Sequence, residues 1–130
     1  EGAEYSPFYD LVEGVMPFPG WEPFEGPDSA DLGEAAKARL AADAVAVPGA
    51  VAHGIVRYSD DRRTAVPVTL VCPEYSPEQA QEWLAGGSMP ELSAVTHLSY
   101  ADIDSGHWPM TTKPTELAAL LAAIVAAAQG

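Results

Sequence analysis

The sequence predicts an α/β fold with a parallel sheet, and three observations carry that prediction. A compact β-branched run, Val66-Pro-Val-Thr-Leu-Val-Cys72, precedes a helix signal, and a second extended run follows from Val95 to Ile103. Both runs are apolar with little in-out alternation, the pattern of strands covered on both faces. A long alanine- and leucine-rich helix then closes the order strand, helix, strand, helix, which is the signature of parallel pairing. Two strands do not hold an open parallel sheet together. The remaining strands are therefore expected from outside this sequence.

Each element has its local cause. Between Pro7 and Pro27 five prolines alternate with Phe8, Tyr9, Phe18, Trp21 and Phe24. Proline at that density blocks helix interiors and central strands. The aromatic residues still need burial, so this segment reads as an irregular arm, with one helical turn from Pro7 to Val12. Asp28 and Ser29 are candidate caps for a helix from about Ala30 to Ala42, and Pro48-Gly49 ends that region. Ile55 to Tyr58 reads as a short extended piece before the charged turn Ser59-Asp60-Asp61-Arg62-Arg63. Pro67 is expected at the first residues of its strand, where a missing donor is tolerated. Ser76-Pro77-Glu78 starts a helix that runs to about Ala85 and stops at Gly86-Gly87. Lys113-Pro114-Thr115-Glu116 opens the last helix, whose stripe Leu117, Leu120, Leu121, Ile124 and Val125 is expected to face the sheet.

Composition narrows the function. Of 130 residues, 19 are Asp or Glu and 6 are Lys or Arg, a net charge of -13. That surface repels phosphate backbones and anionic lipid, which excludes nucleic acid and membrane surfaces as partners and leaves a small neutral ligand or a protein. The single cysteine, Cys72, rules out an internal disulfide framework and suits a reducing, cytoplasmic setting. The most apolar stretch, Leu117 to Ala128, falls short of the ~20 residues that cross a bilayer. Because the sequence opens at Glu1 rather than methionine, it is expected to be a piece of a longer polypeptide.

The chemistry concentrates in Ser99-Tyr-Ala-Asp-Ile-Asp-Ser-Gly-His-Trp-Pro-Met110. A strand ends, Ser105-Gly106 follows, and a histidine is presented before a helix begins. Such a histidine sits at the C-terminal edge of a parallel sheet, where open α/β sheets bind ligands. Gly106 lets the backbone turn without a Cβ clash. Trp108 and Pro109 brace the loop and shield it from water. His107 is thus the candidate general base, since histidine alone titrates near neutrality without perturbation.

Asp-Ser-Gly-His-Trp-Pro-Met followed by Lys-Pro-Thr-Glu-Leu-Ala-Ala-Leu-Leu resembles the ending of many α/β-hydrolases, most of all small cofactor-free esterases and hydroxynitrile-lyase-like proteins. The resemblance implies the C-terminal part of that fold: residues 1–47 as the cap insertion, and 48–130 as the last two strands, the histidine loop and the final helix. It matches His107 to the triad base and Glu74, in Cys72-Pro-Glu-Tyr75, to the triad acid, with Glu78 as second choice. It implies acyl transfer to water on a small apolar ester, with no cofactor and no metal. Phe18, Trp21 and Trp108 are the candidate substrate-binding side chains. No Gly-x-Ser-x-Gly elbow occurs; Gly86-Gly-Ser-Met-Pro90 comes after a helix and is not one. In this family serine precedes acid and histidine. The nucleophile and oxyanion hole are therefore expected in an N-terminal half, and this chain alone is expected to be inactive.

Other readings compete. The chain is alternatively a non-catalytic interaction module of hydrolase ancestry, or a lyase using the same residues. His53 and His97 read as structural or exposed. A metal site from His97, Asp102, Asp104 and His107 has no known ligand spacing behind it. Asp102 and Asp104 read as loop-orienting residues, and Cys72 as a core residue.

Overall fold

The computed structural model describes residues 10–128, whose contacts gather into two compact units. One holds residues 10–25 and 33–58, the other residues 26–32 and 59–128. This division departs from the boundary at residue 47 suggested by the sequence. Residues 47–58 stay with the first unit because β1 (Val15–Met16) pairs antiparallel with β2 (Val47–Pro48), and the Gly49 amide donates to the Gly14 carbonyl at 2.8 Å.

The first unit also contains α1 (Glu34–Asp43) and α2 (Gly49–Ala52). The expected Asp28/Ser29 cap is not what starts α1. The helix begins after Gly33, with no side-chain cap, because residues 26–32 are engaged elsewhere. Glu22–Phe24 forms a short 3-10 turn. Of the helical turn expected from Pro7 to Val12, residues 7–9 lie outside the described residues. Residues 10–12 are not helical, and Val12 instead bridges to Val15. Ile55 to Tyr58 joins no strand, and Ile55 and Val56 are exposed.

The second unit is α/β. β3 (Val68–Cys72) and β4 (Leu98–Asp102) pair in parallel, in the register Val68↔Leu98 to Cys72↔Asp102, and the Ile103 amide extends the ladder to the Cys72 carbonyl. Pro67 stands just before β3. Its missing donor costs nothing there, because the ladder starts at the Val68 amide. The crossover carries α3 (Pro77–Ala85) and the single turn α4 (Pro90–Ser93). Ser76 and Gln79 form a reciprocal capping box: each side chain accepts from the other residue's amide, at 3.2 and 2.9 Å. Ser76→Ala should therefore destabilise the second unit by about 1 kcal/mol, read as a lower urea midpoint at unchanged slope. After β4 come α5 (Pro109–Thr112) and α6 (Pro114–Ala128).

Burial is where the strands differ from expectation. Among the described residues the buried apolar side chains are Leu32, Cys72, Ala80, Ile103 and Pro109, all in the second unit. In β3 only Cys72 is buried, while Val68, Leu70 and Val71 are half-buried. The double-sided burial read from the sequence is therefore not reached among the described residues. The α6 stripe shows the same shortfall: Leu121 and Val125 are exposed at 48% and 56%. Leu121 and Ile124 line an apolar groove of about 480 Å³ with Val71, Ser99, Tyr100 and Ala101 of the sheet. No helix of the described residues is long and apolar enough to cross a membrane.

Candidate active site

Parallel pairing brings two loops to the same sheet edge. Glu74 lies two residues beyond the end of β3 and His107 five beyond the end of β4, so both emerge at the C-terminal edge. There His107 Nδ1 and Glu74 Oε1 stand 2.7 Å apart. A carboxylate offers only acceptors, so the ring donates Nδ1–H to it, and in the neutral ring that leaves the lone pair on Nε2. The imidazole is more than half exposed (56%), whereas the Glu74 side chain is 14% exposed. The buried Glu74 Oε2 has no hydrogen-bond partner among the described residues. Glu78, the second choice for the acid, instead lies in the first turn of α3, where the backbone and the Ser76 hydroxyl hold its carboxyl below the usual range.

The histidine loop is held from an unexpected side. The His107 amide donates to the Asp28 carbonyl at 2.8 Å, and the Gly106 amide donates to Asp31 Oδ2 at 2.9 Å. Gly106 is needed for space rather than for a left-handed turn, since it is not among the positive-φ glycines. A Cβ placed there would collide with the Asp28 carbonyl oxygen and Asp31 Oδ1. Partial burial pushes the Asp31 carboxyl up. Hydrogen bonds from Thr112, the Gly106 amide and its own amide, together with the charge of Lys113, outweigh this and hold it below the ordinary aspartate value. Asp31 had no distinguishing sign in the sequence, because its contact with Gly106 spans 75 positions.

The other candidates fall into two places. Trp108 stands beside the pair, its ring edge-on to the imidazole at 5.0 Å and 74°. Phe18 and Trp21 belong to the first unit, where they pack with Phe24: Phe18 stacks on Phe24 at 6.1 Å, and Trp21 meets Phe18 edge-on at 5.3 Å. Trp21 Nε1–H donates to the Lys37 carbonyl at 3.2 Å. His53 ends α2, and the His97 carbonyl accepts from the Val68 amide. Asp104 lines a cleft of about 300 Å³ with Asp31, Ser105, Gly106 and Lys113. Among the described residues no three His, Cys, Asp or Glu side chains converge as metal ligands. Cys72 is fully buried, and burial, with the charges of Asp102, Glu78 and Glu74, pushes its thiol up, away from nucleophilic use.

Comparison with protein-family models, with curated proteins and with solved structures finds no match to this chain.

Proposed function

We propose that this chain is the C-terminal portion of a serine-type α/β-hydrolase acting on a small apolar ester. The observation that carries this reading is the hydrogen bond between His107 Nδ1 and Glu74 Oε1 at the C-terminal edge of adjacent parallel strands. Glu74 fixes the tautomer, so Nε2 is the base. It takes the proton of a serine hydroxyl as that oxygen attacks the ester carbonyl, and the carboxylate stabilises the imidazolium. Nε2 then returns the proton to the departing alkoxide. Water repeats the cycle on the acyl-enzyme and releases the acid.

The serine and oxyanion donors come from polypeptide outside this sequence. Two features support such completion. The half-covered faces of β3 and α6 invite further strands, and the unpartnered Glu74 Oε2 invites a donor. An unpaired buried oxygen costs about 1–3 kcal/mol, which one N–H would recover. Trp108, whose ring stands edge-on to the imidazole, is proposed as the apolar surface for the acyl or alkyl group.

Native and denaturing mass spectrometry of the purified protein, followed by assay with short-chain nitrophenyl esters, tests this. A co-purifying or fused segment with a Gly-x-Ser-x-Gly, and turnover abolished by His107→Ala, is the expected result. A lone, monomeric 13.6 kDa species with a cooperative thermal transition and no turnover sinks the reading and leaves a binding module in its place.

A further inference from the structure

We infer that Asp31 is a positioning residue for His107, acting through the Gly106 amide to aim the imidazole at Glu74. This rests on the proposed role of His107 as the base. Residues 26–32 clasp the loop at two consecutive amides: Asp31 Oδ2 accepts from Gly106 and the Asp28 carbonyl accepts from His107. These two bonds hold the peptide planes on either side of Gly106 and so place the amide through which the chain enters His107. The aim needs that precision. A displacement of about 1 Å at Nδ1 would stretch the 2.7 Å contact beyond hydrogen-bond range.

The clasp is itself secured. Ser29 and Leu32 are buried at 4% and 6%, and the Leu32 amide donates to the Ser29 carbonyl at 3.0 Å. On the other side of the loop, the Thr112 hydroxyl donates to the Trp108 carbonyl at 3.4 Å. Gly106 packs so closely on Asp28 and Asp31 that an added Cβ would collide with both.

The test is the tautomer of His107, read from imidazole ¹⁵N shifts of the histidine-labelled full chain, with solid-state spectra if the chain associates. A charge-assisted bond to Glu74 should favour the Nδ1–H form by about tenfold or more. Asp31→Ala should abolish that excess, while Asp31→Asn, which keeps an acceptor oxygen for Gly106, should preserve it within about twofold. The His53 and His97 signals should not move. Should Asp31→Ala fail to fold, Asp31→Glu, which shifts the acceptor by one methylene, must show the loss instead. An excess retained in Asp31→Ala overturns the inference. So does equal loss in Asp31→Asn, which would assign the effect to charge, and so does movement of all three histidines, which would mark general loss of structure. None of these readouts needs turnover, so absence of esterase activity would sink the proposed function without altering this result.

Discussion

Glu74→Gln is expected to lower ester turnover of the completed protein roughly ten-thousandfold, with the thermal midpoint held within about 5 °C. Glutamine keeps the shape of the side chain but adds a donor. Its amide can pair with an unprotonated Nδ1, which moves the ring proton to Nε2 and removes the base. Stability should change little, because the imidazole is more than half exposed and Glu74 already carries a buried oxygen without a partner among the described residues. His107→Ala sets the limit of the effect at roughly a millionfold, and the two losses should not add, since both residues act as one unit. Initial rates with nitrophenyl esters and a circular-dichroism melt check both halves of this expectation. Turnover unchanged in Glu74→Gln, or a melt lowered in proportion to the rate, would make the pair a structural hydrogen bond.

Gly106→Ala carries the largest expected stability change, about 2–4 kcal/mol of the second unit. One methyl group meets backbone and carboxylate oxygens rather than the yielding end of a long side chain. The loop must retreat, and with it go the Gly106–Asp31 and His107–Asp28 hydrogen bonds. Gly87 provides the comparison. It is left-handed, at φ +78°, but open, with nothing within 4 Å of an added Cβ. Gly87→Ala should therefore show only the conformational cost of about 1 kcal/mol. Chemical denaturation of the two variants separates crowding from backbone strain. Equal losses would mean that the clasp around Gly106 contributes nothing.

The elements were legible to different depths. The Ser76-Pro77 start and Gly86-Gly87 stop of α3 were readable because capping is local chemistry within four residues. The two strands and their parallel order were readable from β-branched runs and from the crossover between them. At residues 28–32 local signals and tertiary structure disagree, since α1 starts only after Gly33. Asp and Ser cap helices often enough to suggest a start there, but here Asp31 faces a loop 75 positions away. Distance in sequence hides such a partner completely.

By itself, then, the sequence determined an α/β unit with two parallel strands, the extents of α3 and α6, and a histidine presented after the last strand. These follow from periodicity, caps and proline, which act over a few residues. Tertiary structure decided which carboxylate meets that histidine, which side holds its loop, and how far the apolar faces are covered. Those outcomes depend on strand register and on close packing at Gly106, where residues 33 and 75 positions apart come within hydrogen-bond reach.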